Sequence, residues 1–89
     1  MKHFNITISG RVQGVGFRYS ARSIAKYMGI KGFVRNLYDN KVYIEAEGDD
    51  RQLSEFINWC HKGPESARVD NVLVLPGEVK AFDSFEVRF

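Results

Sequence analysis

The sequence has few of the residues that cross-link a small chain or bind a metal. Its 89 residues include one cysteine, Cys60, and two histidines, His3 and His61. A single cysteine excludes an intramolecular disulfide, and this set is too small and too dispersed to supply a zinc site. A reducing, cytoplasmic environment is therefore the expected location, and no metal is expected to support the fold.

Long hydrophobic runs and strong charge are also absent. No stretch approaches the ~20 apolar residues of a membrane-spanning helix, and the N-terminal residues alternate in polarity, unlike a signal peptide. The net charge is +2, from 13 basic and 11 acidic residues, without the clustered excess typical of nucleic-acid-binding domains. We therefore expect no membrane or nucleic-acid partner and, with no obvious interface patch, a monomer.

Apolar residues are sufficient for one hydrophobic core. The chain is 44% hydrophobic and 13% aromatic, a composition that argues against disorder. Domains typically run ~50–250 residues, and a second core would not fit in a chain of this length. Residues 1–89 are therefore expected to form a single domain.

The apolar pattern alternates between strand and helix periods. Strand-like patterns occupy five short segments: residues 4–9, 33–37, 42–46, 69–75 and 85–89. Helical spacing of apolar residues runs from Phe17 to Met28 and from Leu53 to Cys60. Gly29 or Gly32 can end the first helix, and Gly63-Pro64 ends the second.

Two local motifs support this order of elements. Asp39 and Asn40 tolerate the positive φ of a hairpin turn between the second and third strands, and Asp49 with Gln52 matches a capping box. The order β-α-β-β-α-β, with a short final strand, predicts an α+β fold. This is the ferredoxin-like split β-α-β sandwich (βαββαβ), an antiparallel sheet with two helices on one face. Strands 1 and 3 then lie side by side, so the first loop and the end of strand 2 can approach each other.

The glycine-rich segment from Gly10 to Arg18 joins the first strand to the first helix. Glycines allow consecutive N–H groups to converge on one concave side, and the first N–H groups of a helix lie at the positive end of its dipole. Such a junction can bind phosphate or carboxylate, and Arg18 can add a two-pronged contact. From the glycines alone an unliganded loop is equally open, and the spacing matches neither a nucleotide P-loop nor a dinucleotide fingerprint.

Two segments resemble motifs of a known family. The residues 10–18, GRVQGVGFR, resemble the signature of the acylphosphatase family throughout, and residues 32–42, GFVRNLYDNKV, resemble its second motif at the expected separation. One departure is Asn40, where the family usually has glycine; asparagine also tolerates positive φ. The resemblance spans the chain and implies a ferredoxin-like enzyme that hydrolyses acyl phosphates, small molecules, to a carboxylate and inorganic phosphate.

The resemblance also implies roles for individual residues. It makes Arg18 the phosphate-binding arginine and Asn36 the residue that orients the attacking water. Phosphoryl oxygens would be bound by the backbone N–H groups of seven loop residues: Val12, Gln13, Gly14, Val15, Gly16, Phe17 and Arg18. The departing carboxylate is already stable, so the enzyme mainly positions a water and holds the phosphoryl charge. Asparagine is not basic enough to remove a proton, so the resemblance implies that a phosphate oxygen of the substrate accepts the proton of the attacking water. It implies no metal, cofactor or general base.

Structural roles are expected for the remaining polar candidates. The side chains of Arg11 and Gln13 are expected to face solvent. His3 begins a strand, and His61 lies at the end of the second helix, where the dipole favours a cation. Cys60 falls on the apolar stripe of that helix and is expected to be a small core residue.

Three other functions are compatible with this fold but fit the sequence less well. Carbamoyl phosphate hydrolysis, as in the acylphosphatase-like domain of large hydrogenase-maturation proteins, ranks lower because no zinc-finger or other extension is expected. RNA recognition on this sandwich needs exposed aromatic residues on the central strands, where only Tyr43 is aromatic and outward. A catalytically idle regulatory domain is disfavoured by the presence of both Arg18 and Asn36.

Overall fold

Alternating apolar residues build a five-stranded sheet, and two amphipathic helices cover one of its faces. The computed structural model describes residues 1–89. Its elements are, in order, β1 (Lys2–Arg11), α1 (Phe17–Met28), β2 (Lys31–Asn36), β3 (Val42–Gly48), α2 (Asp50–Lys62), β4 (Arg68–Gly77) and β5 (Phe85–Val87). The predicted α+β, ferredoxin-like class is confirmed.

The strand order is β4-β1-β3-β2-β5. β1 pairs antiparallel with β3 and β4, and β2 pairs antiparallel with β3, so β1 and β3 lie side by side as expected. The expectation of a wholly antiparallel sheet is wrong at one edge, because β5 runs parallel to β2. The chain leaves β4 at one edge of the sheet. Residues 78–84, here called the crossing segment, carry it across the sheet to the opposite edge, where β5 runs in the same direction as β2.

The first helix begins and ends on glycine. Gly16 precedes α1 with φ 76°, and Gly29 follows it with φ 75°. Of the two glycines predicted as possible stops, Gly29 therefore ends the helix, whereas Gly32 lies inside β2. Phe17, Ala21 and Ala25 form the buried stripe of this helix. That stripe packs against the sheet, and this packing fixes the direction in which α1 leaves the β1–α1 loop.

The second helix opens with the predicted capping box. The backbone N–H of Gln52 donates to Asp49 Oδ1 at 2.8 Å, and the N–H of Asp49 donates to Gln52 Oε1 at 2.9 Å. The helix ends at Gly63, whose N–H donates to the Trp59 carbonyl. Neither α1 nor α2 is long and apolar enough to cross a membrane.

A single apolar cluster of 15 buried residues fills the space between helices and sheet. Leu53, Phe56 and Cys60 supply the α2 side of it. Cys60 is fully buried, and burial raises the pKa of its thiol to about 12. The prediction that Cys60 is a core residue is therefore confirmed.

Candidate active site

The β1–α1 loop owes its conformation to two glycines. Gly14 and Gly16 have φ of 73° and 76°, in the left-handed region that costs other residues about 1–2 kcal/mol. A Cβ added at either position would meet nothing within 4 Å, so backbone conformation, and not lack of space, calls for glycine here. Val12 is buried in the core and anchors the start of the loop.

The loop delivers the chain into the N-terminus of α1. Gly16 makes no side-chain capping bond, and the first turn carries no acidic residue. The first N–H groups of a helix lack intrahelical partners and lie at the positive end of its dipole. The loop and the start of α1 therefore present a positive, hydrogen-bond-donating surface that no carboxylate of this chain occupies.

A small cavity lies against this surface. Its volume is about 100 Å³, and its lining comprises Val12, Gly14, Gly16, Phe17, Arg18, Tyr19 and Asn36. Pockets for drug-sized ligands typically measure ~300–1,000 Å³, so this cavity suits a group of the size of phosphate. No aspartate or glutamate lines it, and Arg18 is its one charged side chain.

Sheet topology explains why Asn36 meets the loop. β1 and β2 both run antiparallel to β3, so they are parallel to each other. Their C-terminal residues therefore lie at the same end of the sheet. Asn36 is the last residue of β2, two positions after the buried Val34, and alternate residues of a strand face the same side. The Asn36 side chain thus faces the helices, toward the loop that follows β1. The expected approach of loop and strand end is confirmed.

Arg18 is held from the far end of the chain. Its Nη1 donates to the carbonyl of Arg88 at 3.3 Å, and its Cζ lies 4.7 Å from the centroid of the Phe89 ring. The centroid of the Tyr19 ring lies 5.9 Å from the same Cζ. Sequence reasoning missed Arg88 and Phe89, because nothing in a local pattern links residues separated by seventy positions.

The expectation for Gln13 is wrong, because its side chain does not face solvent. Its Nε2 donates to the carbonyls of Leu37, at 2.6 Å, and Lys41, at 2.8 Å. The other predicted loop residue outside the cavity lining, Val15, packs against the core, and its carbonyl accepts from Ser66 Oγ at 3.2 Å. Arg11 is exposed as expected.

A second polar cluster lies on the opposite face of the sheet, under the crossing segment. The Glu47 carboxylate, fully buried, accepts from the N–H of Lys80 at 2.6 Å, the N–H of Phe82 at 3.0 Å and His3 Nδ1 at 2.7 Å. Burial raises the pKa of Glu47, but these hydrogen bonds outweigh it and leave the pKa below its usual value. His3 therefore has a structural contact, as expected, although its partner was not predicted.

Glu45 belongs to the same cluster. Its carboxylate accepts from Lys80 Nζ at 2.7 Å and from the Tyr43 hydroxyl at 2.8 Å. Burial raises the pKa of Glu45, yet Lys80 and Tyr43 lower it to below its usual value, while burial and Glu45 together raise the pKa of Tyr43 to about 12. No group of three or more His, Cys, Asp or Glu side chains in the molecule is arranged to hold a metal ion.

Known proteins resemble this chain along most or all of its length. The acylphosphatase family model matches residues 4–87. An acylphosphatase of Thermotoga petrophila is 44% identical over 89 residues, covering 100% of this chain and 99% of the relative. The crystal structure of acylphosphatase from Bacillus subtilis matches with a TM-score of 0.97 at 31% identity, covering 100% of both chains. Full-length HypF in a phosphate- and nucleotide-bound form matches with a TM-score of 0.89 at 32% identity, over 99% of this chain and 12% of that protein.

Proposed function

Because the chain belongs to the acylphosphatase family and hydrolyses acyl phosphates, we propose that the cavity at the β1–α1 loop is its active site. The observation that carries the proposal is the lining of that cavity. Arg18 and Asn36, from segments far apart in the sequence, meet there beside the loop glycines. We further propose that residues 1–89 act as one catalytic domain.

The loop and Arg18 hold the phosphoryl group. Backbone N–H groups from Val12 to Arg18 surround its oxygens, and the guanidinium of Arg18 neutralises charge as the bond to the carboxylate breaks. The contacts of Arg18 with Arg88 and Phe89 restrict the guanidinium before substrate arrives. Donors that are already oriented stabilise developing charge without reorganisation during the reaction.

Asn36 orients the attacking water. Its amide oxygen accepts a hydrogen bond from the water, and its amide nitrogen remains free to donate elsewhere. The water oxygen forms the new bond to phosphorus, and the carboxylate leaves with the electron pair of the broken P–O bond. Since no acidic side chain lines the cavity, the water's proton passes to a phosphate oxygen of the substrate.

The proposed enzyme is a cytoplasmic monomer without nucleic-acid or membrane partners. The chain has one cysteine, Cys60, and so no intramolecular disulfide, which agrees with a reducing location. Phe33, on the sheet face where RNA-binding sandwiches expose aromatic residues, is 6% exposed. It is covered by the Phe82 ring, 5.8 Å away between centroids, and by the Arg88 guanidinium, 3.9 Å from its centroid.

Hydrolysis of benzoyl phosphate in EDTA tests the site. We expect metal-independent turnover that inorganic phosphate inhibits competitively. Arg18→Ala and Asn36→Ala should each reduce kcat/KM by about 100-fold or more, since removal of one preorganised donor typically costs ~10²–10³. Folding of each variant is checked by circular dichroism.

Matched control variants are available on the helices. Arg22 lies one turn after Arg18 on α1 and outside the cavity lining, and Asn58 is an exposed asparagine on α2. Arg22→Ala and Asn58→Ala should retain near-normal activity. Activity that survives Arg18→Ala, or that disappears in EDTA, would contradict the proposed mechanism.

A further inference from the structure

We infer that Gln13 is a positioning residue, whose side chain locks the phosphate-binding loop to the strand end that carries Asn36. The inference rests on the proposed role of Asn36. Gln13 Nε2 donates to the carbonyl of Leu37, the residue directly after Asn36, at 2.6 Å. The same nitrogen also donates to the carbonyl of Lys41, on the other side of the hairpin, at 2.8 Å.

The chemistry of the two acceptors fixes the orientation of the amide. Both neighbours of the Gln13 side chain are carbonyl oxygens, which accept only, so the NH₂ end of the amide must face them. Both of its hydrogens are then used. A single side chain from the loop thus joins the two sides of the β2–β3 hairpin where the strands end.

Beyond the Asn36–Val42 pair that ends the β2–β3 ladder, the hairpin has few other restraints at this point. The turn residues Tyr38, Asp39 and Asn40 are exposed, and one backbone hydrogen bond, from the N–H of Leu37 to the Lys41 carbonyl at 2.8 Å, closes the turn. Without the Gln13 amide, the end of β2 would therefore gain freedom where Asn36 must hold a water.

The phosphate-binding side of the site has separate anchors. Val12 is buried in the core, and the Val15 carbonyl accepts from Ser66. Arg18 is held by Arg88 and Phe89. Loss of the Gln13 amide should thus displace the water-orienting asparagine while leaving the phosphate cradle in place, so catalysis and phosphate binding should separate.

Gln13→Ala and Gln13→Met test this separation, because methionine keeps the length of the side chain but has no N–H donor. We expect kcat for benzoyl phosphate to fall about 10- to 100-fold, the cost typical of a displaced catalytic group. The inhibition constant for inorganic phosphate should change less than about 3-fold. A normal kcat in the folded Met variant, or a parallel loss of phosphate affinity, would overturn the inference.

A matched glutamine separates positioning from simple stabilisation. Gln52 is also half-buried and accepts from the N–H of Asp49 in the α2 capping box, on a different element. Gln52→Ala should lower the melting temperature and leave kcat unchanged. If Gln13→Ala behaves like Gln52→Ala, its role is structural only.

A double-mutant cycle tests whether Gln13 acts through Asn36. We expect Gln13→Ala to cost less than about 2-fold in kcat when Asn36 is already alanine, because the positioned group is gone. An equal loss in both backgrounds would mean that Gln13 acts by another route. A wild-type rate in Asn36→Ala alone would instead show that the proposed role of Asn36 has failed, and the inference with it.

Discussion

At the scale of single residues, the site combines side chains from three parts of the chain: the segment 10–18, the end of β2 and the C-terminal residues. Arg18 and Asn36 come from the two motifs that the sequence makes visible. Gln13 lies in the first of these motifs, but its contact with the β2–β3 hairpin, like that of Phe89 with Arg18, forms only because the fold brings the groups together. In the proposed mechanism the motif residues supply the chemistry, and the tertiary contacts restrict their motion.

Phe89→Ala should weaken phosphate binding modestly. The Phe89 ring is 91% exposed, so its removal should scarcely affect folding. The Arg18 guanidinium, however, would lose one of its two contacts with aromatic rings. Exposed cation–π contacts are worth about 0.5–1 kcal/mol, so the inhibition constant of inorganic phosphate should rise about 2- to 5-fold. Phe89→Tyr keeps an aromatic face and should bind normally. Equal affinity of the Ala and Tyr variants would show that the ring contributes nothing.

At the scale of elements, local patterns predicted the fold wherever one face of a strand or helix is apolar. Both helices, the hairpin turn at Asn40 and the α2 capping box follow from neighbouring residues. β5 could not be oriented this way, because its direction depends on the path of the crossing segment over the sheet. The extent of β3 was also underestimated, because the predicted strand ended at Ala46 whereas β3 continues through Glu47 to Gly48. Glu47 is buried under that segment, which no local pattern indicates.

The same division holds for the candidate site. Glycines and a helix start left an anion-binding loop and an unliganded loop equally open, and the family motifs implied Arg18 and Asn36. Gln13 was wrongly predicted to face solvent, because a loop glutamine shows no periodicity that marks it as half-buried. Such contacts depend on which strands terminate at the same end of the sheet, and the sheet topology determines that.

Asp49→Ala should destabilise α2 without affecting catalysis. It removes the carboxylate that accepts from the N–H of Gln52, and loss of such a cap typically costs ~1 kcal/mol. Urea unfolding should show a lower midpoint with an unchanged slope, while kcat stays normal because α2 contributes no residue to the cavity. Asp50→Ala, at the next and exposed position, is the matched control and should have a smaller effect. A loss of kcat in folded Asp49→Ala would mean that α2 influences the site.

At the scale of the whole molecule, Glu47 joins distant parts of the chain. It lies on β3, contacts His3 on β1, and accepts two backbone N–H groups of the crossing segment. That segment leads to β5 and then to Arg88, whose carbonyl accepts from Arg18. The buried carboxylate therefore anchors the segment through which the C-terminal residues reach the proposed active site.

This arrangement predicts that Glu47 stabilises the protein in a pH-dependent way. Its pKa is lower in the folded state than its ordinary value of 4.5, so its contribution is fully present above that value and is lost as pH falls through the folded-state pKa. Glu47→Gln retains one acceptor oxygen and places an NH₂ group among donors. The variant should lose about 1–3 kcal/mol of unfolding free energy near neutral pH.

Urea unfolding of both proteins between about pH 7 and pH 3 measures this contribution. The difference in unfolding free energy should be largest near neutrality and should narrow below 4.5, the ordinary pKa of glutamate, as Glu47 is protonated in the wild type. Glu45 also has a lowered pKa but is present in both proteins, so its titration largely cancels. Glu55→Gln, an exposed position paired only with Arg51, should show no such gap. A difference for Glu47→Gln that stays constant down to the lowest pH would mean that the stabilisation does not depend on the charge of Glu47.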